Sequence, residues 1–249
     1  MTFIVGRKLT LDTTLYRYLS LERFLELIEA RRIRLANVNR WEDPGEAILG
    51  KVPTRGDSGK IERPLYSFHE RIYGSCWTRL QESDAMWRIY SPDRTGVQIA
   101  ASVAKFQLIT GVRRSLIDEV RYFETRTDLL ANASQAPDAL AVALHKRSAF
   151  QHEHEVRFLT HADFLERTVS GPTHVDLPVD PATFIEGVAL DPRADNWYVD
   201  VLKMYCIRAG LRVQPSKSAL YEPNPQRRIS IEQRWVPILH PGVARADEG

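Results

Sequence analysis

The sequence FQHEHEVRFLTH, residues 150–161, places two carboxylates and an arginine in a run of strand-forming residues. From Glu155 onward, its valine, phenylalanine and leucine side chains predict a β-strand. Side chains alternate between the faces of a strand, so Glu153, Glu155 and Arg157 are expected on one face, with apolar neighbours facing a core. Such a row forms either structural ion pairs across the sheet or part of a functional site.

The composition is ordinary for a soluble globular protein, with 249 residues, 43% of them hydrophobic and 27% charged. This length predicts one domain over residues 1–249, with an exposed loop at about 50–63 and a loosely ordered tail at about 222–249. The net charge of +2 neither requires nor excludes a nucleic-acid partner.

The N-terminus is charged too early for a signal peptide, and no apolar run reaches the length of a membrane span. The two cysteines are far apart and form no CxxC spacing. These features predict a cytoplasmic protein without a membrane partner, and they leave the oligomeric state open.

Hydrophobic periodicity predicts strands and helices that interleave irregularly along the chain. Strands are predicted at 14–19, 32–37, 72–78, 95–102, 119–124, 184–192, 211–213 and 219–221. Helices are predicted at 21–31, 83–90, 139–150 and from about 196 to 209. The order lacks the regular strand–helix alternation of a doubly wound sheet. It therefore predicts an α+β fold with a mixed, largely antiparallel sheet flanked by helices.

The early strand carries an arginine among apolar residues. Tyr16 and Tyr18 are expected on one of its faces, and Arg17 on the other, between two leucines. Arg17 is expected either to reach an anion or a carboxylate, or to lie at an edge with its stem on the surface. A third interpretation is that Arg17 forms a structural ion pair with Glu155.

The short helix at 83–90 carries two large aromatic residues on one face, because Trp87 and Tyr90 are three positions apart. Together with Trp77 they predict either a rigid wall of a pocket or ordinary core packing. Cys76 has no visible activating neighbour, so a buried structural thiol is expected there.

Common catalytic motifs are missing from the sequence. It has no Walker lysine loop, no GxGxxG after a strand, no HExxH and no GxSxG. His152 and His154, expected on the strand face opposite the carboxylates, could be two metal ligands, but no third ligand follows from the sequence. No metal is therefore expected.

Three segments have the order and spacing of a known signature. They are LYRYLSLERFLELIEARRIRLANVNRWEDPGE (15–46), CWTRLQESDAMWRIYSPDRTGVQI (76–99) and FQHEHEVRFL (150–159). They resemble the "lyKY…FNDPfE", "MWshY…GvcigF" and "EkEvR" motifs of a widespread bacterial and phage family described as a domain of unknown function. The chain departs from that pattern at Trp41-Glu42 and at Ser91-Pro92.

The layout of these motifs is similar to that of ADP-ribosyltransferase folds. The resemblance implies an enzyme that uses NAD and modifies a macromolecule, as a toxin or defence effector. The macromolecular acceptor is expected to be a nucleic acid or a protein.

The resemblance also assigns roles to residues. Glu155, with Glu153 as second choice, would stabilise an oxocarbenium-like transition state. Trp87 and Tyr90 would stack on nicotinamide or adenine, and Arg17 would pair with the pyrophosphate. The expected cofactor-binding residues are Arg17, Tyr16, Tyr18, Trp87, Tyr90 and Arg157.

Two other functions stay open from the sequence. A module that binds a nucleotide or a nucleic-acid end without turnover would use the arginines at 31–34 and 227–234. A nuclease or other hydrolase would gather Asp43, Glu46 and Glu153 around a hard cation and would depend strictly on Mg²⁺ or Mn²⁺.

Overall fold

A computed structural model describes residues 1–43, 45–46, 54–55, 61–62, 67–134, 138–166 and 173–222. The predicted tail lies outside these residues, apart from Glu222. The predicted loop at 50–63 also lies outside them, apart from two short paired strands. The expectations for both segments, and for one domain over the whole chain, stay predictions.

The strands of the described chain are β1 Thr2–Val5, β2 Thr14–Leu19, β3 Arg32–Asn37, β4 Thr54–Arg55, β5 Ile61–Glu62, β6 Ile72–Thr78, β7 Val97–Ser102, β8 Arg114–Glu119, β9 Arg121–Phe123, β10 His145–Arg147, β11 Glu155–His161, β12 His174–Pro178, β13 Gly187–Leu190 and β14 Ser216–Lys217. The helices are α1 Leu21–Ala30, α2 Asp84–Tyr90, α3 Arg126–Ser134, α4 Pro181–Phe184 and α5 Asn196–Arg208. Short 3₁₀ turns occupy Val38–Arg40, Ser67–Arg71, Val103–Leu108, Ala139–Ala143, Ser148–Glu153 and Ala162–Phe164.

Most of the strands belong to one mixed sheet, in the order β1-β8-β11-β6-β2-β7-β13-β14, with β3 and β12 attached as a branch to β6. The pairs β1/β8 and β13/β14 are parallel, and the other pairs of this sheet are antiparallel. The predicted α+β fold with a mixed, largely antiparallel sheet is therefore confirmed.

Local sequence signals explain the elements that border the site. Ser20 caps α1 by accepting a hydrogen bond from the backbone of Arg23 at 3.4 Å. Ser83 caps α2 in the same way, from the backbone of Met86 at 3.3 Å. Both caps fix where the following helix starts, so α2 carries its aromatic residues to a defined place on the sheet.

The main core lies on one face of the sheet, where α1 and α5 cover it with Phe24, Leu27, Tyr198 and Leu202 among others. On the opposite face, a second apolar cluster that includes the turn Ala139–Ala143 covers β8, β11 and the start of β6, and α2 packs on Tyr18 of β2. Other parts of β2, β7 and β13 on that face line a broad groove. The candidate site lies at the boundary between the covered part of this face and the groove.

The predicted helix at 139–150 is wrong. The chain forms a 3₁₀ turn, then β10, which pairs in parallel with β9, and then a second 3₁₀ turn. Leu140, Ala141, Ala143 and Leu144 of this run are buried in the second apolar cluster. Tertiary packing has overridden helix propensity here.

Other predicted boundaries also changed. The strand predicted at 119–124 is split, because Val120 donates to the Glu155 carbonyl before β9 begins and pairs with β10. The strands predicted at 211–213 and 219–221 are absent, and β14 lies between them. Within the described ranges, no helix combines the length and apolar character needed to cross a membrane.

Candidate active site

A cleft opens where β6 changes its partner. On one side β6 pairs with β11 along its whole length. On the other side β3 pairs with Gly74 and Tyr73, and β2 pairs with Thr78 alone. Within the described chain, residues 75–77 thus have no strand partner on that side. The gap between β2 and β3 holds a cleft of about 290 Å³.

The cleft brings together most of the predicted site residues. Its walls are formed by Tyr16, Arg17, Tyr18, Ala36, Trp41, Gly74, Ser75, Cys76, Trp77, Thr78, Met86, Tyr90, Glu153 and Glu155. Of the predicted residues, only Trp87 and Arg157 are missing from these walls. Segments that are far apart in the sequence therefore converge on one hollow.

Glu155 is the first residue of β11 and is only 2% exposed. Its carboxylate accepts two hydrogen bonds from Arg157, at 2.7 and 3.1 Å, and one from Lys146 at 2.9 Å. Burial alone would raise the pKa of Glu155, but the two cations outweigh it and lower the pKa to about 2. The cleft wall therefore carries a carboxylate that stays ionised and fixed in orientation.

Glu153 also contacts Lys146, but it does not lie on the strand as predicted. It ends a 3₁₀ turn rather than extending β11, and His154 follows in the left-handed conformation with φ 43°. This bend brings Glu153 back to Lys146, at 2.7 Å. The prediction that His152 and His154 share a strand face is wrong, because both precede the strand and are exposed.

Lys146 was missed by sequence reasoning, which placed it inside a helix. Its ammonium contacts three carboxylates, those of Glu153 at 2.7 Å, Glu155 at 2.9 Å and Glu46 at 3.5 Å. It also lies 4.9 Å from the centre of the Phe150 ring. Burial would lower the pKa of Lys146, but the surrounding carboxylates raise it above its usual value. Sequence spacing does not reveal that Lys146 contacts three carboxylates, because the parallel pairing of β10 with β9 sets its position.

Arg157 supports Glu155 rather than facing the cleft. Its side chain is fully buried and donates to the Ala143 carbonyl at 2.6 Å and to Glu46 at 3.0 Å. The Trp41 ring lies 4.1 Å from its guanidinium carbon. With no exposed surface, Arg157 does not have the position of a cofactor-binding residue in this structure; it holds the carboxylate of Glu155.

The aromatic residues divide between the cleft and the core. Tyr90 is 42% exposed, lines the cleft and stacks on Tyr18 with ring centres 6.2 Å apart. Trp87 is fully buried and packs edge-to-face with Tyr18, with ring centres 4.7 Å apart. The stacking on a ligand predicted for Trp87 does not fit this position, since helical spacing alone does not tell which of two aromatic residues turns inward.

Arg17 enters the cleft from the core face of β2, 5.8 Å from the Trp77 ring. Within the described chain it makes no salt bridge or side-chain hydrogen bond, and burial lowers its pKa. The structural pair between Arg17 and Glu155 is not formed, because Arg157 and Lys146 occupy that carboxylate. Among the residues that the structure describes, half-buried Arg17 therefore has no counter-ion of its own.

Cys76 is half-buried in the cleft wall, rather than fully buried as expected. Burial and the adjacent Glu155 raise the pKa of its thiol well above the usual value. The thiol therefore stays protonated and is not an activated nucleophile.

The acids proposed for a hydrolytic metal site are already matched by cations of the chain. Asp43 pairs with Arg147 at 2.7 Å, and Glu46 and Glu153 share Lys146. Over the residues that the structure describes, no group of three His, Cys, Asp or Glu side chains is placed to hold a metal ion. Carboxylates paired in this way do not present the free oxygen ligands that a hard cation needs.

Comparison with known proteins gives distant structural similarity only. No protein-family model matches the sequence, and no curated protein matches it. The chain is similar to the solved structure of Thermus sp. 2.9 DarT in complex with ADP-ribosylated ssDNA, at 12% identity and a TM-score of 0.40, over 85% of this chain and 97% of that one. It is similar to the same protein in complex with NAD⁺, at 13% identity and a TM-score of 0.38, over 84% and 97% of the two chains. At these values the similarity carries no argument about activity, which has to come from the cleft itself.

Proposed function

We propose that the protein is an ADP-ribosyltransferase-like enzyme that uses NAD and transfers ADP-ribose to a macromolecule, as a toxin or defence effector. The acceptor is a nucleic acid or a protein. The reaction breaks the bond between the anomeric carbon of the ribose and the nicotinamide nitrogen. The bonding electrons leave with nicotinamide, the acceptor bonds to the anomeric carbon, and the acceptor loses a proton.

The observation that carries the proposal is the ionised carboxylate of Glu155 in the wall of the cleft. Cleavage of a glycosidic bond develops positive charge on the sugar, so a fixed anion nearby stabilises the transition state more than the ground state. Arg157 and Lys146 hold this carboxylate in one orientation. An anion that needs no reorganisation during the reaction is the kind of group that electrostatic catalysis uses.

The open edge of β6 supports nicotinamide as the group beside that carboxylate. Alternate residues of a strand direct their backbone groups to opposite sides, so Cys76 turns its N–H and C=O to the cleft, where they have no strand partner within the described chain. A carboxamide offers one acceptor and two donors, which matches such an edge. Tyr90 provides an accessible ring on which a flat heterocycle can stack.

Glu153 takes the second role in the proposal. Its carboxylate shares Lys146 with Glu155 and lines the cleft. In this scheme Glu153 accepts the proton that the acceptor group releases, while Glu155 stays ionised and faces the sugar. The scheme uses no metal ion.

The test is release of free nicotinamide from NAD by the purified protein. We expect Glu155→Gln to lower the rate about 100-fold or more, because removal of one electrostatic stabiliser typically costs that much. Glu166→Gln, at an exposed acid outside the cleft walls, is the matched control. Thermal unfolding of both variants separates lost chemistry from lost folding.

A second candidate function is nucleotide binding without turnover. The observation in its favour is that Arg157 and Lys146 fully engage Glu155, as in a buried structural ion pair. The same assay separates the two functions. A binding module retains NAD without releasing nicotinamide, whatever residue stands at 155.

A further inference from the structure

The outer face of α5 carries large apolar side chains that stay exposed within the described part of the chain. Trp197, Val201, Met204 and Ile207, here called the outer stripe, are between 50 and 67% exposed. The opposite face of the same helix is buried in the main core. A helix that is apolar on both faces is normally packed on both faces, and contiguous apolar patches often mark protein interfaces. The outer stripe therefore calls for a second packing partner.

Three residues of the outer stripe form a line along the helix, because Trp197, Val201 and Met204 follow each other at intervals of four and three. Arg208, four residues further, continues this line for a total length of about 16 Å. The same alternation of four and three residues occurs where two helices pack side by side along their length. The outer face of α5 thus has the pattern of a helix that packs on another helix.

The two ends of this line carry opposite and unmatched charges. At the start of the helix, the carboxylate of Asp195 accepts a hydrogen bond from the Trp197 ring at 3.3 Å and so lies beside that ring. At the other end Arg208 is exposed. Among the described residues, the only salt bridge of this helix and its cap residue joins Asp200 and Lys203, at 3.8 Å. One acid and one arginine are therefore free to pair with another molecule.

A second copy of α5 in antiparallel orientation matches both the apolar line and its charged ends. A two-fold axis through the middle of the line places Met204 of each copy against Val201 of the other. The same axis places Arg208 over the Trp197 ring of the other copy, within reach of Asp195. An arginine in this position gains a cation–π contact and an ion pair. A parallel arrangement would instead bring like charges together, so the face is complementary to itself in one orientation only.

We propose that the outer face of α5 is a dimer interface, on which α5 of a second copy packs in antiparallel orientation. A contact made by one pair of helices is smaller than the roughly 1,200–2,000 Å² that stable interfaces bury, so we expect a dissociation constant in the micromolar range. The residues of the outer stripe lie outside the cleft walls. Each copy therefore keeps its own cleft, and dimerisation is independent of the proposed function.

Sedimentation velocity of the full chain tests the apolar part of the interface. The mass of the wild type should rise from that of one copy to that of two as the concentration passes through the micromolar range. Met204→Glu places a charge at the centre of the contact, so we expect it to weaken dimerisation about tenfold or more. Leu130→Glu is the matched control, because Leu130 is an apolar residue of α3 that is 44% exposed and lies outside the outer stripe.

Charge reversal tests the antiparallel orientation. Asp195→Arg and Arg208→Asp each place like charges at both ends of the dimer, so each variant alone should dimerise about tenfold or more weakly than the wild type. A mixture of the two variants should dimerise like the wild type, because every arginine then faces an aspartate of the other variant. Thermal unfolding of each variant checks the fold, and both substituted side chains are exposed.

Three results would overturn the proposal. One is a wild type that stays monomeric at every concentration, which would leave the outer stripe to another protein or to residues 223–249 of the same chain. Another is a Met204→Glu protein that folds and dimerises as tightly as the wild type. The third is a mixture of the two charge variants that associates no better than either variant alone. Nicotinamide release enters none of these measurements, so failure of the proposed enzyme would leave the dimer unaffected.

Discussion

At the scale of single residues, the cleft depends on how one carboxylate is kept charged. Glu155 is almost completely buried, and an isolated carboxylate in that position would become neutral. Arg157 and Lys146 prevent this by direct hydrogen bonds. The cations are thus part of the site although neither is proposed to touch the reacting atoms.

Lys146→Met tests this support. Removal of one partner from a buried ion network leaves uncompensated charges, so we expect a loss of about 3–5 kcal/mol in the free energy of unfolding. Lys146→Arg should lose less because it keeps the charge. Denaturant unfolding measures both variants, with Lys203→Met as control, since Lys203 is half-buried and pairs only loosely with Asp200 at 3.8 Å. A Lys146→Met protein as stable as the wild type would show that the network is not structural.

Tyr90→Ala tests the accessible ring. Loss of an aromatic stacking partner is worth about 0.5–1.5 kcal/mol, so we expect KM for NAD to rise roughly two- to tenfold with a smaller change in kcat. Trp197→Ala removes an equally prominent exposed ring, 67% exposed on α5, and should leave KM unchanged. Steady-state kinetics of nicotinamide release distinguish the two. Equal KM values for wild type and Tyr90→Ala would place the ligand elsewhere.

At the scale of elements, the sequence predicted well wherever a local signal coincided with the tertiary structure. β2, β3, β6 and α2 follow their patterns because alternation, an N-cap serine and a following Ser91-Pro92 all act locally. The helix predicted at 139–150 is wrong because alanines and leucines of this segment pack in a buried 3₁₀ turn, and His145–Arg147 then form a short parallel strand. Lys146 could not be found for the same reason, since its partners come from pairings that no local pattern specifies.

His154 tests the bend that places Glu153 and Glu155 around one lysine. Its φ of 43° lies in the left-handed region, which β-branched residues avoid. We expect His154→Val to lower the free energy of unfolding by about 1–2 kcal/mol and to reduce nicotinamide release, while His154→Gly retains both. Thermal unfolding beside the activity assay checks this. Equal behaviour of the two variants would mean that the bend does not need this conformation.

At the scale of the whole molecule, the buried charges join three distant segments into one unit. Glu46 follows β3, Lys146 lies on β10, and Glu155 and Arg157 begin β11. The network therefore links the branch of the sheet to its centre. The cleft lies directly beside this junction, so the stability of the fold and the shape of the site depend on the same ion pairs.

Acid should weaken this junction in a defined range. The pKa of Glu155 is about 2 in the folded protein against 4.5 for the ordinary carboxyl, so its contribution is present above about pH 4.5 and is lost as the pH falls toward 2. The shift corresponds to roughly 3 kcal/mol. Denaturant unfolding at several pH values should show this slope in the wild type and a shallower one in Glu155→Gln. The same slope in both proteins would assign acid lability to other groups.

The most direct measurement is a crystal structure of the Glu155→Gln protein with NAD. We expect nicotinamide in the cleft, against the open edge of β6 at residues 75–77 and beside Tyr90, with the pyrophosphate at Arg17. A dinucleotide bound in the acidic groove beyond Tyr16, or anywhere away from residue 155, would contradict it.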